Sequence, residues 1–142
     1  MHRDITIVLA VTLDGCIARP DGALPVRDPE DLRHFRALTM GTDCVVGRVT
    51  ADTLPVLKGH RLLVMSGGWE TVYRGEHVIV GSVEEAISER HIGAPLHIIG
   101  GAQVYELWAD IADGVSVTWI PIVGGPGWVR LGPRMLERLA VE

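Results

Sequence analysis

The sequence lacks the long apolar runs and basic clusters that mark membrane and nucleic-acid-binding proteins. No run approaches the roughly 20 apolar residues that cross a bilayer. The first four residues lead directly into a short apolar run, which does not fit the pattern of a signal peptide. Lys58 is the only lysine, the net charge is −5 and no basic stripe is present, so neither a membrane nor a nucleic-acid partner is expected. The sequence therefore predicts a cytoplasmic protein.

Cysteine is also scarce, and histidine is scattered. The two cysteines, Cys16 and Cys44, lie in apolar surroundings without Cys-x-x-Cys spacing. This pattern favours two reduced, buried thiols over a disulfide. None of the six histidines forms a His-x-x-x-His pair with a nearby acid, and the sequence predicts no metal site.

The chain does carry the alternation of short apolar runs and helical stretches that defines an α/β protein. Its 142 residues, 47% of them hydrophobic and 22% charged, predict one domain over residues 1–142. Strands are expected at residues 5–11, 44–46, 61–65, 77–80, 96–99 and 115–120, with a loop from 14 to 28. Helices are expected at 29–40, 48–54, 82–90 and 102–109, and a short strand and helix are possible readings of 128–131 and 133–139. Alternating strands and helices indicate a mainly parallel sheet flanked by helices.

Two of these strands run directly into glycine and then into a helix. One ends at Gly47-Arg48 and the other at Gly100-Gly101. Open α/β sheets bind ligands at the carboxyl ends of their strands, where helix N-termini attract phosphates and glycine permits close approach. Arg48 would suit such a phosphate. Neither corner matches G-x-G-x-x-G, and the glycines alone favour tight strand-to-helix turns over a ligand site.

Asp31 is a candidate for acid–base chemistry. It lies in the first turn of its predicted helix, four residues before Phe35, so the two positions share a helix face. A lone carboxylate in an apolar cleft can accept two parallel N–H bonds from a heterocycle, and partial burial would raise its pKa toward the working range. Alternatively, Asp31 has only a structural role, as an acidic residue in the first turn of a helix that is favoured by the helix dipole.

These motifs, taken in order, resemble the dihydrofolate reductase family over about residues 5–121. Leu24-Pro25 precedes Asp31-Leu32 and Phe35, as in the substrate helix of that family. Val45-Val46-Gly47-Arg48-x-Thr50 and Ile99-Gly100-Gly101-Ala102-Gln103-Val104-Tyr105 are similar to its two cofactor corners, and Val117-Thr118 to the strand that follows.

The resemblance implies a single-domain dihydrofolate-reductase-like fold and NADPH-dependent reduction of 7,8-dihydrofolate to tetrahydrofolate, which supports one-carbon and thymidylate metabolism. It implies Asp31 and Thr118 as catalytic residues, and a mobile loop over residues 18–24. The implied substrate-binding residues are Val8, Ala10, Leu24, Asp31, Phe35, Leu54, His60, Arg61, Ile99 and Thr118. The implied cofactor-binding residues are Ala10, Ile17, Gly47, Arg48, Thr50, Ser66, Gly67, Gly100, Gly101, Ala102, Gln103, Val104 and Tyr105.

The sequence departs from the family pattern in three places. Val26 stands where the family usually has a tryptophan. Residues 55–61 are about one residue short, so His60 falls where the family's arginine grips the glutamate tail, and Arg61 could serve only after a rearrangement. The final hairpin has little room after residue 121, which predicts a sheet edge that is truncated or covered by a partner subunit. A monomer and a homodimer both remain open.

Two other functions remain open at this point. Leu13-Asp14-Gly15-Cys16-Ile17-Ala18 and Val49-Thr50-Ala51-Asp52 look like the riboflavin-pathway pyrimidine reductase domain, which also uses NADPH. The departures at Val26 and His60 would also fit a protein that binds NADPH or a pterin without turnover.

Overall fold

A computed structural model describes residues 4–26, 29–53, 61–66, 72–74, 77–90 and 94–140. Within these residues it has nine strands and five helices. The strands are β1 (Ile5–Thr12), β2 (Cys16–Ala18), β3 (Asp43–Gly47), β4 (Arg61–Met65), β5 (Val72–Arg74), β6 (His77–Val80), β7 (Leu96–Ile98), β8 (Gly114–Ile120) and β9 (Val129–Arg130). The helices are α1 (Pro29–Thr39), α2 (Arg48–Thr53), α3 (Val83–Glu89), α4 (Ala102–Trp108) and α5 (Pro133–Ala140).

Seven strands form one sheet in the order β5-β6-β4-β3-β7-β1-β8. The six strands that the sequence predicts all belong to it and run parallel to one another. The seventh, β5, is antiparallel to β6 and has no sequence signal of its own. The predicted α/β class with a mainly parallel sheet is confirmed.

The core lies on β1 and its neighbours, between the sheet and the helices. Side chains of β1 are buried almost without interruption, as expected for a parallel strand covered on both faces. Trp108 of α4 and Met135 of α5 are fully buried in the same cluster. Burying side chains of this size stabilises the fold by about 1.5–3 kcal/mol each. Cys16 and Cys44 are buried and unpaired, as predicted.

Helix α3 is capped at its start by Ser82. The Glu85 backbone N–H donates to Ser82 Oγ at 3.1 Å. The Glu85 carboxylate accepts from the Gly81 N–H at 3.0 Å, one residue earlier than in the usual capping box. This contact fixes Gly81 at the carboxyl end of β6.

The segment after β8 forms the short strand and the helix that the sequence left as possible readings. Strand β9 pairs antiparallel with β2 rather than with the main sheet. The prediction of an irregular loop over residues 14–28 was therefore wrong at Cys16–Ala18, because a distant partner strand satisfies that backbone. Helix α5 packs on α4, and the Glu106 carboxylate accepts from the Arg134 and Met135 N–H groups at 3.1 and 2.9 Å.

None of the helices within the described ranges is both long enough and apolar enough to span a membrane.

Candidate active site

The two glycine corners meet at one edge of the sheet. Strands β3 and β7 are parallel neighbours, with Val45 opposite Ile98, so their carboxyl ends lie side by side. The Gly47 N–H donates to the Gly100 carbonyl at 2.8 Å, and the Gly100–Gly101 peptide bond is cis. A Cβ on Gly101 would lie 2.7 Å from Thr50 Oγ1, a distance that real Cβ atoms essentially never show. The approach of the two corners therefore requires glycine at position 101.

An open cavity of about 690 Å³ lies between these corners, within the range of small-molecule sites. Its lining includes eight of the predicted cofactor-binding residues: Gly47, Arg48, Thr50, Ser66, Gly101, Ala102, Gln103 and Val104. The carboxyl ends of β4 and β6 also open into it, through Met65, Ser66 and Gly81. The cavity follows the rule that parallel sheets bind ligands at the carboxyl ends of their strands.

Five lining residues were not predicted from the sequence: Val49, Met65, Gly81, Leu107 and Val129. Gly81 had a signal, because Val80-Gly81-Ser82 repeats the strand–glycine–helix pattern of the other two corners. Val129 had none, because it reaches the cavity only through the long-range pairing of β9 with β2.

Arg48 gives the cavity its positive charge. It is the first residue of α2, its side chain is exposed and it shares the lining with Ser66 and Gly81. A guanidinium beside backbone N–H groups and a hydroxyl is a suitable donor set for a phosphate. The backbone of Ser66 is fixed by its N–H bond to the Val80 carbonyl at 3.1 Å.

Tyr105 lies beneath the second corner. Its hydroxyl donates to the Val8 carbonyl at 2.8 Å, and a Cβ on Gly100 would lie 3.6 Å from that hydroxyl. Burial raises the pKa of Tyr105 far above its ordinary value, so the hydroxyl stays neutral. Tyr105 and Val8, both predicted site residues, are nearly buried, and their bond ties α4 to β1.

Five of the predicted substrate residues lie on β1, β8 and α1, namely Val8, Ala10, Asp31, Phe35 and Thr118. Ala10 and Thr118 are register partners in the β1–β8 pair, and both are half-buried. Phe35 of α1 is half-buried, and its carbonyl accepts from Thr39 Oγ1 at 2.9 Å. Leu24 is exposed. The Ile99 N–H donates to the Val45 carbonyl beside the first corner. Ile17, in β2, packs against the core cluster.

Several predicted positions lie partly or wholly outside what the structure describes. Asp31 is the third residue of α1, but only its backbone is described. Leu54, His60 and Gly67 lie outside the described residues.

Arg61, a predicted substrate-binding residue, does not line the cavity at the glycine corners. It is the first residue of β4, opposite Asp43, about 13 Å along the strand from Met65 at the cavity, since strands rise roughly 3.3 Å per residue. Its guanidinium donates to the Glu89 carbonyl at 2.8 Å and forms ion pairs with Asp43 and Glu89 at 3.4 and 3.3 Å. Because Asp43 is 2% exposed, releasing Arg61 would leave a buried carboxylate unpaired. The contact of Arg61 with the folate tail stays a prediction, and it would require these ion pairs to break.

Asp14 connects the turn after β1 to the tail that follows β8. Its carboxylate accepts from Thr12 Oγ1 at 2.6 Å and from the Gly124 N–H at 2.9 Å, and Arg130 forms an ion pair with it at 3.4 Å. The Gly124 bond is the main reason that the pKa of Asp14 lies below its ordinary value. A few residues on, the Arg19 guanidinium stacks over the Trp128 ring at 4.9 Å. The tail thus holds the chain just before and at the start of the predicted mobile loop.

We expect Asp14→Ala to lower the melting temperature at pH 7 by several degrees, because the Thr12 hydroxyl and the Gly124 N–H lose their acceptor. Since its folded pKa is lowered, Asp14 stabilises the fold above its ordinary pKa of 3.8, and this contribution is lost as the pH falls through the folded value. Thermal unfolding measured from pH 7 to pH 3 should therefore show the two proteins converging at the acid end. Asp110→Ala is the matched control, since Asp110 makes only an exposed pair with Arg134. An equal effect of both substitutions would contradict the role given to Asp14.

Comparison with known proteins gives one consistent result. A family model described as dihydrofolate reductase matches residues 4–124. The dihydrofolate reductase of Mycobacterium leprae is 40% identical over 118 residues, which cover 80% of this chain and 70% of that protein. That of Mycobacterium tuberculosis is 38% identical over 122 residues, 83% of this chain and 72% of that protein. The type 8 dihydrofolate reductase of Escherichia coli is 31% identical over 126 residues, 82% of this chain and 74% of that protein.

Proposed function

The chain belongs to the dihydrofolate reductase family, and from this premise we propose that it reduces 7,8-dihydrofolate to tetrahydrofolate with NADPH as the hydride donor. The chain is an oxidoreductase of this family. The comparisons do not favour the two alternatives that the sequence left open, a pyrimidine reductase and a protein that binds NADPH or a pterin without turnover. The observation that carries the proposal is the cavity at the joined glycine corners, with Arg48 at its wall.

The cavity is suited to a phosphorylated dinucleotide. Gly101 has no side chain and lines the cavity, so its backbone can lie close to a ligand there. No side chain caps the N-terminus of α4 at Gly101. Arg48, Thr50 and Ser66 supply one cation and two hydroxyls. We propose that these residues hold the phosphates of NADPH, with Arg48 and Ser66 at the adenosine 2′-phosphate.

The substrate is proposed to lie between α1 and the β1–β8 pair. Ala10 and Phe35 would form apolar walls against the flat ring, and Thr118 would hydrogen-bond its polar edge. Asp31, one helical turn before Phe35, shares that face of α1 by helical spacing. Its carboxylate is suited to two N–H bonds from the same edge.

Reduction of a ring C=N bond adds a hydride to carbon and a proton to nitrogen. Bound NADPH supplies the hydride. The chain must orient the ring, exclude water and assist the proton transfer. We propose Asp31 for the proton, with Thr118 fixing the ring edge, and the loop between β2 and α1 for exclusion of water.

The test is NADPH oxidation by the purified protein with dihydrofolate and, separately, with a ribosylated aminopyrimidine. The proposal expects oxidation that depends on dihydrofolate and is absent with the aminopyrimidine. Oxidation with the aminopyrimidine alone would assign the chain to the other reaction. NADPH binding without oxidation in either assay would contradict reductase activity.

Replacement of Arg48 tests the cofactor. Because a guanidinium–phosphate contact is a charge-assisted hydrogen bond, we expect Arg48→Leu to raise KM for NADPH by about tenfold or more, equivalent to about 1.4 kcal/mol. The KM for NADH should change little, because NADH lacks the 2′-phosphate. Steady-state kinetics with both cofactors measure this, and Arg36→Leu, at the exposed end of α1, is the control. Equal losses for the two cofactors would place Arg48 away from the 2′-phosphate.

A further inference from the structure

Strand β8 forms a long, accessible edge of the main sheet. It is the last strand in the order β5-β6-β4-β3-β7-β1-β8, it is seven residues long, and none of its residues is fully buried. The opposite edge is formed by β5, which has only three residues. Short edge strands are one of the ways in which proteins avoid edge-to-edge pairing, and β8 does not use it.

The sequence of β8 also lacks the other common protections. Gly-Val-Ser-Val-Thr-Trp-Ile contains no charged residue and no proline. Natural edge strands that must stay single usually carry lysine, proline or a bulge. Its pairing with β1 is regular over all seven residues, so no bulge in that ladder turns the edge away.

An apolar groove lies beside the carboxyl end of β8. Trp119 is 52% exposed, Leu13 60% and Leu136 of α5 43%, and together with Leu139 and Ala140 they line a space of about 350 Å³. Clustered apolar exposure of this kind marks an interaction surface more often than scattered exposure does.

The side-chain pattern of β8 is complementary to itself. Val115, Val117 and Trp119 share one face of the strand, and Ser116 and Thr118 share the other. An antiparallel pair of two β8 strands centred on Val117 sets Val115 against Trp119 and Ser116 against Thr118. From position 115 to position 119, each apolar side chain then meets an apolar one and each polar side chain meets a polar one. Ile120 would oppose Gly114, which has no side chain.

We propose that a second copy of this chain pairs with β8 about a two-fold axis through Val117, which joins the two seven-stranded sheets into one. This is an isologous contact, the kind that closes a C2 dimer. The register also fits at the ends of the strand, where Asp113 would oppose Pro121. No like charges meet there. The hydrogen-bonded ladder ends at this position because proline has no backbone N–H. About six main-chain hydrogen bonds would form, according to the antiparallel pattern. This inference concerns the assembly of the protein alone, and it does not depend on the proposed catalytic function.

The first test is a cross-link on the two-fold axis. Directly opposed Cα atoms lie about 4.5–5.5 Å apart in an antiparallel pair, within the range of a disulfide. We expect the V117C protein to form a disulfide dimer under mild oxidation, visible on a non-reducing gel. V115C is the matched control, because position 115 would oppose 119 and not itself. The native Cys16 and Cys44 are buried and should give no dimer in the wild type on that gel. Cross-linking of V115C in place of V117C would overturn this register.

The second test is the mass of the unmodified protein in sedimentation equilibrium at tens of micromolar. We expect twice the chain mass of 15.4 kDa. Trp119→Glu should shift the protein to the monomer, because the register sets this carboxylate against the apolar Val115 of the second copy. Met40→Glu, at a comparably exposed apolar residue on the turn after α1, should leave the dimer intact. A wild-type monomer, or a Trp119→Glu protein that remains dimeric, would overturn the proposal.

Discussion

Replacement of Asp31 by Asn is expected to lower kcat/KM for dihydrofolate by about a hundredfold or more at pH 7, the scale of a lost acid–base residue. Asparagine has the shape of aspartate but carries no charge, and it cannot accept two N–H bonds from a pterin edge and also exchange a proton. Steady-state kinetics with saturating NADPH measure the loss. The dissociation constant of NADPH, followed by its fluorescence, should change less than twofold, because the residues proposed to hold its phosphates lie on α2 and at the end of β4, not on α1.

The neighbouring Glu30→Gln is the control for this substitution. It removes the same charge from the same turn of α1, so it reproduces any effect of the helix dipole. We expect less than a threefold change in kcat/KM. Equal losses in the two proteins would mean that Asp31 acts through the charge of the helix start and not on the substrate.

Replacement of Gly101 by Ala should weaken NADPH binding by at least tenfold and also lower the free energy of unfolding. The added Cβ would lie 2.7 Å from Thr50 Oγ1, so either the Thr50 side chain must rotate away or α2 and α4 must move apart. Overpacking of this kind typically costs about 1–3 kcal/mol. Separation of the helices would also displace the donors proposed to hold the phosphates. Isothermal titration with NADPH and chemical denaturation measure the two effects.

Two further variants separate crowding from a general effect of losing a glycine. Gly114→Ala has no atom within 4 Å of the new Cβ and should leave both properties nearly unchanged. Adding Thr50→Ala to Gly101→Ala removes the clashing hydroxyl and should recover stability, while NADPH binding stays weak because a proposed phosphate contact is gone. If the double variant remains as unstable as Gly101→Ala, the close approach of the two corners is not the cause.

Most strands of the main sheet could be predicted because each has a recognisable pattern in its own short stretch of sequence. Strands β1, β3, β4 and β6–β8 are short apolar runs bounded by turn residues or helix starts, and a parallel strand buried on both faces gives this signal without help from distant residues. Strands β2, β5 and β9 have two or three residues and form because a partner is present. No local pattern identifies such a partner.

The candidate site divides in the same way. The corners at Gly47 and Gly100 were visible as strand–glycine–helix patterns, and the parallel pairing of β3 with β7 brings them together. The engagement of Arg61 by Asp43 and Glu89 could not be read from the sequence, since it depends on α3 packing against the start of β4. Val129 lines the cavity because β9 pairs with β2. This position could not be predicted either, since it depends on contacts between residues far apart in the sequence.

The most direct measurement of the central claim is the transfer of the hydrogen itself. Purified protein should be incubated with dihydrofolate and with NADPH carrying deuterium in both positions at nicotinamide C4, and the product analysed by mass spectrometry. We predict tetrahydrofolate heavier by one deuterium on its ring carbon, and no such product with the Asp31→Asn protein in the same time. Unlabelled tetrahydrofolate, or none from the wild-type protein, would contradict hydride transfer from NADPH to dihydrofolate in this site.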